Sequence, residues 1–243
     1  MGRHLPRSLP FVVILSAACT AGPRGSEGPA ASRPERPSEP ATAKAEPAKT
    51  PSDRTASRLE RPSEPVKVGA EAPAFELRDL DGRIHRLADY AGKIVVLEWF
   101  NPACPFIQYA HTKGPLRDLA RSIAGDDLVY LAINPGAPGK QGADVETNRQ
   151  AVARFGLAHP VLLDPQGVVG RAYGAAKTPH MFVIDRAGTL VYAGALDNAP
   201  MGEVDGDGPH VVYVRQAVEA LRAGTQVPRP ETPPYGCSVK YGS

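Results

Sequence analysis

The feature that most constrains the fold is an abrupt change of composition near residue 65. Between residues 20 and 65 the chain is built mainly of Pro, Ala, Ser, Glu, Arg and Lys, and Leu59 is the one large apolar residue there. Such a segment cannot bury enough apolar surface to offset the entropy of ordering it. We therefore predict a disordered, Pro-rich linker over 20–65 and a single folded domain over 66–243, which is long enough for one core.

Residues 1–19 have the order of an export signal. Basic residues precede an apolar stretch from Leu9 to Leu15, and small residues lead to Cys19. This Cys resembles the lipid-accepting residue of bacterial lipoprotein signals, although Ser16 stands where that pattern prefers Leu. We predict export to the periplasm or cell envelope, with a membrane tether through lipid on Cys19. An ordinary cleaved signal peptide is the alternative.

Charge and cysteine content exclude several classes of protein. The 243 residues carry 28 Lys and Arg against 26 Asp and Glu, a formal charge of +2, which gives no reason to expect a nucleic-acid partner. The three cysteines are too few for a disulfide-dense scaffold or a four-Cys zinc site. We expect neither a metal nor an organic cofactor in the principal function.

Short apolar runs alternate with helical patterns in the folded part. An alternating stretch before Asp81-Gly82 predicts a β-hairpin. Strands are predicted at 94–97, 128–133, 161–163, 181–184 and 190–193, and amphipathic helices at 116–123, 145–155 and 211–221. This alternation, closed by a hairpin and a last helix, indicates an α/β sandwich with a mixed sheet.

The residues with the clearest chemistry surround Cys104. A buried strand ends near Phe100, and Cys104 follows a short turn at the point where the next helix begins. Pro105 suits the first helical position, where its missing N–H costs nothing. A cysteine at a helix N-terminus faces unpaired N–H groups and the positive end of the dipole, and both favour the thiolate. Cys104 is therefore a candidate nucleophile.

The stretch from about 68 to 195 resembles the thioredoxin superfamily, in its redoxin or AhpC/TSA (peroxiredoxin-like) branch. The matching motifs stand in the family's order: Ala72-Pro73-Ala74-Phe75, Asp81-Gly82, Gly92-Lys93, Trp99-Phe100, Cys104-Pro105 and Thr178-Pro179. The resemblance implies a thioredoxin-like three-layer sandwich with a central mixed β-sheet, an N-terminal β-hairpin and an extended C-terminal tail. It also implies a thiol-dependent oxidoreductase.

The resemblance assigns roles to three further residues. Thr178 and Pro179 correspond to the family's second active-site element, whose proline is cis and packs against the nucleophile. Glu98 corresponds to a buried acid that handles protons during disulfide exchange. A carboxylate in an apolar strand is expected to have a raised pKa, which suits a proton acceptor.

Two departures place the sequence between known subfamilies. The dithiol motif Cys-x-x-Cys is incomplete, since Ile107 occupies the second Cys position. The peroxiredoxin motif requires Thr or Ser three residues before the Cys and Pro seven before, and here Asn101 and Leu97 stand there. Cys104 therefore lacks both the usual disulfide partner and the hydroxyl of standard peroxidases.

Cys237 is a candidate resolving thiol. The tail reads Tyr235-Gly236-Cys237-Ser238-Val239-Lys240, and a tail of this kind, paired with an Asn-Pro-x-Cys-Pro-Phe site, resembles bacterial redoxin-domain proteins. A mobile tail would give Cys237 access to an oxidised Cys104. The alternative is that Cys237 is merely buried where the tail docks.

We predict an exported thiol-disulfide oxidoreductase that acts on a disulfide protein and takes electrons from another thiol protein. A thiol peroxidase that reduces hydroperoxides is the first alternative. His180, next to Pro179, and His111, two helical turns beyond Cys104, are candidates for supporting Cys104 as thiolate. The second alternative, a non-enzymatic copper or haem-assembly binding protein, would use Cys104, His180 and Cys237.

Overall fold

The computed structural model describes residues 64–204 and 206–242, and the predicted signal peptide, Cys19 and nearly all of the predicted linker lie outside these residues. The strands are β1 (Glu76–Asp79), β2 (Ile84–Arg86), β3 (Ile94–Trp99), β4 (Leu128–Asn134), β5 (Val161–Leu163), β6 (Lys177–Thr178), β7 (Met181–Ile184), β8 (Leu190–Gly194) and β9 (Cys237–Ser238). The helices are α1 (Pro105–Thr112), α2 (Leu116–Ser122), α3 (Val145–Phe155), α4 (Val168–Tyr173) and α5 (Tyr213–Ala223).

Seven strands form one mixed sheet in the order β2-β1-β5-β4-β3-β7-β8. The neighbours β3, β4 and β5 run parallel, whereas β7, β8 and the hairpin β1–β2 are antiparallel to their partners. Every residue of β3 is buried, as a strand covered on both faces requires. The predicted α/β sandwich and its N-terminal hairpin are confirmed.

Alternate residues of β3 supply the cores on the two faces of the sheet. Val95, Leu97 and Trp99 pack with α4 in one cluster, and Ile94 and Val96 pack with α2 and α5 in another. The Trp99 ring meets Phe182 edge-on at 4.9 Å and Tyr173 at 5.5 Å, which is a favourable aromatic geometry. These cores fix β3, and therefore the position of the turn that follows it.

The C-terminal tail is docked along the domain, which corrects the expectation of a mobile tail. Its β9 pairs with β6 in a separate two-stranded sheet. Further backbone hydrogen bonds hold the tail on both sides of this pairing: Thr232 N donates to Ala193 O, Val239 N donates to Ala176 O, and Ala137 N donates to Lys240 O. We refer to residues 235–242 as the strap.

Among the described residues, none of the helices combines the length and the apolar character required to cross a bilayer.

Candidate active site

Cys104 lies at the N-cap of α1, directly after the turn that follows β3. Pro105 occupies the first helical position, as predicted. Asn101 holds the turn, because its Oδ1 accepts from Ala103 N at 2.9 Å and its backbone oxygen accepts from Cys104 N at 3.0 Å. The Asn101 amide also donates to Gln141 O at 3.2 Å, which ties the turn to the neighbouring loop. Asn101 therefore positions the cysteine backbone.

Cys104 is almost completely buried, at 1% exposure, but its sulfur has polar neighbours. Its thiol donates to Thr178 O at 3.1 Å. Burial by itself raises the pKa of Cys104, but hydrogen bonds from the Cys237 and Thr178 side chains and from the Ile107 and Cys237 N–H groups outweigh it and lower the pKa. The environment therefore favours a thiolate.

Thr178 and Pro179 lie against this sulfur, and the peptide bond between them is cis. The Thr178 hydroxyl is buried, and among the described residues it has no hydrogen-bond partner while Cys104 is a neutral thiol. It is therefore free to donate to a Cys104 thiolate, whereas the neutral thiol uses the Thr178 carbonyl.

Cys237 faces Cys104 from the strap. It is opposite Thr178 in the β6–β9 pairing, it remains partly exposed, and both cysteines are free thiols in the structure. Burial and then the neighbouring Cys104 raise the pKa of Cys237 to about 11. The two pKa values thus move apart, so that Cys104 loses its proton more readily than Cys237.

Gly236 allows the strap to approach this closely. Its φ is +110°, and a Cβ at this position would collide with the carbonyl oxygen of Thr178. On either side the strap is anchored by side chains: the Tyr235 hydroxyl donates to the buried Asp197, and the Tyr241 hydroxyl donates to Ala175 O at 2.8 Å. These contacts hold Cys237 opposite Thr178 and next to Cys104.

Glu98 is fully buried, but its environment differs from the expectation. Its carboxylate accepts from His111 Nε2 and from the Tyr130 hydroxyl, each at 2.8 Å, and within the described residues it makes no hydrogen bond to Cys104. Burial raises the pKa of Glu98, but the charge and hydrogen bond of His111, aided by His159 and Tyr130, more than offset it and lower the pKa. The predicted raised pKa is wrong, because the sequence does not show that a histidine faces this strand.

His111 belongs to Glu98 and not to Cys104. Its ring stacks on Phe155 at 5.2 Å and is 2% exposed. The second histidine near this carboxylate, His159, lies 4.4 Å from the Tyr130 ring, and burial lowers its pKa to about 4. His159 could not be predicted as part of this group, because no sequence spacing relates it to Glu98.

His180, beside Pro179, makes its contacts with Phe182 and Ala176. Its ring lies 4.4 Å from Phe182, and its Nδ1 accepts from Ala176 N at 3.3 Å. Burial lowers its pKa to about 4, so the ring is neutral near pH 7. In the described residues the hydrogen bonds of His180 and His111 go to Ala176 and Glu98, and support of the Cys104 thiolate by either histidine stays a prediction.

The metal-binding alternative requires side chains that converge as ligands. Over residues 64–204 and 206–242, no three His, Cys, Asp or Glu side chains converge as ligands of a metal ion would. In the predicted set of Cys104, His180 and Cys237, the His180 ring packs beside Phe182.

A cysteine at the N-cap of α1, opposite a cis proline and above the central strand of a mixed sheet, defines a thioredoxin-like protein with a thiol site. Within that class, residues 68–193 match the AhpC/TSA family. The chain belongs to this family.

The similar proteins include thiol-disulfide oxidoreductases and hydroperoxide reductases. The chain is 37% identical over 128 residues to thiol-disulfide oxidoreductase ResA of Geobacillus thermodenitrificans, a match that covers 51% of this chain and 66% of that protein, just under two thirds. It is 33% identical over 135 residues to alkyl hydroperoxide reductase E of Mycobacterium tuberculosis, which covers 52% of this chain and 83% of that protein.

A solved structure extends the likeness beyond the family segment. The crystal structure of a hypothetical protein from Sinorhizobium meliloti 1021 aligns with a TM-score of 0.62 at 30% identity. The alignment covers 73% of this chain and 96% of that one, and it supports the assignment of the fold.

Proposed function

We propose that the protein is a thiol-disulfide oxidoreductase in which Cys104 is the nucleophile and Cys237 the resolving thiol. The observation that carries the proposal is the contact between the two cysteines, whose pKa values are shifted in opposite directions. The similarity to the ResA protein supports it. We further propose an exported, membrane-tethered protein with lipid on Cys19, as the residue pattern at 1–19 suggests.

The reaction runs in two exchange steps. The Cys104 thiolate attacks one sulfur of a substrate disulfide, so that a mixed disulfide forms and one substrate thiolate leaves. Cys237 then loses its proton and attacks the Cys104 sulfur, which releases the second substrate thiolate and leaves a Cys104–Cys237 disulfide. The substrate gains two electrons and the protein loses two. The side chains of Thr178 and Cys237 stabilise the starting thiolate by hydrogen bonds.

The role that we propose for Glu98 differs from the proton-handling role that the resemblance implies. Since its hydrogen bonds go to His111 and Tyr130, it acts on the site through α1, which carries both His111 and the Cys104 N-cap. We infer that Glu98 is a positioning residue for α1.

A disulfide-reduction assay tests the proposal. The full chain, first reduced, is mixed with insulin and a thiol reductant, and precipitation of the insulin B chain is followed. We expect activity above that of the reductant alone in the wild type and none above it in Cys104→Ser. When reduced protein is mixed with insulin without the reductant, we expect a stalled mixed disulfide in Cys237→Ser, detectable by mass spectrometry. Equal activity of the wild type and Cys104→Ser would overturn the proposal.

A thiol peroxidase is the second candidate, and the similarity to alkyl hydroperoxide reductase E favours it. In that reaction Cys104 takes an oxygen atom from a hydroperoxide, an alcohol or water leaves, and Cys237 converts the resulting sulfenic acid to a disulfide with loss of water. Hydroperoxide consumption by the wild type, lost in Cys104→Ser, together with no reduction of insulin, would favour this candidate over exchange.

A further inference from the structure

The two sulfurs differ in how an external molecule reaches them. Cys104 is 1% exposed and lies beneath the strap, whereas Cys237 is partly exposed on the strap itself. Since the strap is held by Tyr235 and Tyr241 on both sides, a thiol donor that meets the closed protein meets Cys237 first. Once the disulfide has formed, the accessible sulfur of the pair is the one contributed by the strap.

Two lysines lie beside Cys237. Lys177 precedes Thr178 in β6 and pairs in register with Ser238, and Lys240 follows on the strap. Their positive charges both act to lower the pKa of Cys237, which shows that they are close enough to influence its sulfur. Neither forms a salt bridge with a carboxylate in the described part of the chain.

We infer that Cys237 is the sulfur attacked by the external thiol that re-reduces the protein, and that this donor carries negative charge that Lys177 and Lys240 attract. The inference rests on the proposed two-thiol cycle and adds to it the point of electron entry and the charge of the partner. Lysine side chains that lack intramolecular partners raise the local concentration of an anionic reactant and its association rate.

The leaving-group properties of the two thiols also favour attack on Cys237. The donor thiolate attacks Cys237 Sγ, the bond to Cys104 breaks, and Cys104 departs as the thiolate. A thiol of lower pKa leaves faster, and the pKa of Cys104 is lowered whereas that of Cys237 is raised. A second donor thiolate then attacks the donor sulfur of the mixed disulfide, which releases Cys237 and an oxidised donor pair. Two donor thiols lose two electrons and the protein disulfide gains them.

Identification of the attacked sulfur is the first test. The full chain is oxidised to its Cys104–Cys237 form, mixed with reduced glutathione for a short time, quenched with acid and alkylated. Peptide mass spectrometry then locates the glutathione. We expect it on Cys237 with Cys104 alkylated, and glutathione on Cys104 would overturn the inference. If no Cys104–Cys237 disulfide forms during oxidation, the proposed function itself has failed, which separates the two outcomes.

The second test concerns charge. The rate of re-reduction is measured with two thiols of different charge. Glutathione is an anion, whereas cysteamine carries an ammonium group and no carboxylate. We expect Lys177→Glu and Lys240→Glu each to lower the ratio of the glutathione rate to the cysteamine rate by roughly threefold or more at low salt. Lys93→Glu is the matched control, because Lys93 is exposed and directly precedes β3, at the end of that strand opposite Cys104. An equal change in the ratio for Lys93→Glu would overturn the role of the two lysines.

Discussion

At the scale of single residues, the environment separates two chemically identical thiols. Cys104 receives N–H donors from the first turn of α1 and from the strap, so its pKa falls despite burial. Burial, together with the hydrogen bond that Cys237 donates to Cys104, raises the pKa of Cys237 to about 11. The position of Cys104 at a helix start could be predicted from the sequence, because Pro105 marks the first helical position. Its contact with Cys237 could be inferred only by resemblance.

The buried Glu98–His111 pair gives a prediction for stability. Because the pKa of Glu98 is lowered in the folded state, its charge stabilises the fold above its unfolded pKa, and this contribution is lost as the pH falls through the lower folded pKa. We expect Glu98→Gln to lower the free energy of unfolding by about 1–3 kcal/mol at pH 7. Urea titrations should show a smaller difference in the free energy of unfolding between the wild type and Glu98→Gln below pH 4 than at pH 7.

A surface pair provides the control for this prediction. Glu76 pairs with Arg86 at 2.8 Å, but both side chains are about half exposed. We expect Glu76→Gln to change the free energy of unfolding by less than about 1 kcal/mol. Equal losses in Glu76→Gln and Glu98→Gln would contradict the importance of the buried pair.

His180 gives a second pH-dependent prediction. Its pKa is lowered to about 4 by burial, so the unfolded chain binds a proton more readily than the folded one between about pH 6.5 and 4. Stability is therefore lost as the pH falls through this range, and His180 should account for about 2 kcal/mol between pH 8 and pH 5. His180→Asn keeps an acceptor for Ala176 N but does not titrate.

The measurement compares denaturant curves of wild type and His180→Asn at pH 8 and pH 5. From pH 8 to pH 5, we expect the free energy of unfolding to fall by about 2 kcal/mol less in His180→Asn than in the wild type. The same pH dependence in both proteins would show that His180 is already protonated, or solvated, in the folded state.

At the scale of elements, regular patterning predicts the main sheet and its helices, but short elements fixed by tertiary contacts escape it. The apolar run at 94–97 predicts most of the strand Ile94–Trp99, and apolar spacing predicts the helix Val145–Phe155, which Asp144 and Gly156 cap. By contrast, α4 has only six residues, and Gly170 in it packs beneath Tyr241 of the strap. The local sequence does not predict α4, because this short helix packs against Tyr241, a residue about 70 positions further along the chain.

Gly236 offers the sharpest test of the strap. Gly236→Ala places a methyl group against the Thr178 carbonyl and also strains a positive φ, so the strap should shift away from β6. Strain of about 1–3 kcal/mol corresponds to a loss of roughly 5- to 150-fold in the rate at which Cys237 closes the disulfide with oxidised Cys104. The rate is measured by acid quenching and mass spectrometry after one equivalent of hydrogen peroxide.

The control separates the collision from backbone strain. Gly188 has a φ of +86° in the β7–β8 turn, but a Cβ there meets no atom within 4 Å. We expect Gly188→Ala to lower the free energy of unfolding by about 1 kcal/mol and to leave the closure rate unchanged. A closure rate that falls equally in both variants would refute the proposed role of Gly236.

At the scale of the whole molecule, the strap connects the end of the domain to its centre. Residues 237–238 form the only pairing of β6 in the described structure, and the same few residues place Cys237 at Cys104. Formation of the Cys104–Cys237 disulfide is therefore coupled to the docking of the strap on β6. A disulfide between Cys104 and Cys237 would close a loop of roughly 130 residues.

This coupling predicts a redox-dependent stability. In the chain-entropy description, a loop of this length stabilises the oxidised protein by up to about 5 kcal/mol relative to the reduced protein. We expect the urea midpoint of the wild type to rise on oxidation, whereas Cys237→Ser should unfold at one midpoint with or without oxidant. Because the thiols already touch through a docked strap, the bond needs little rearrangement of the native state, and most of the entropic gain should be retained. A lower midpoint for the oxidised wild type would mean that closing the bond distorts β6 or α1, and that the reduced pair is the relaxed state of the site.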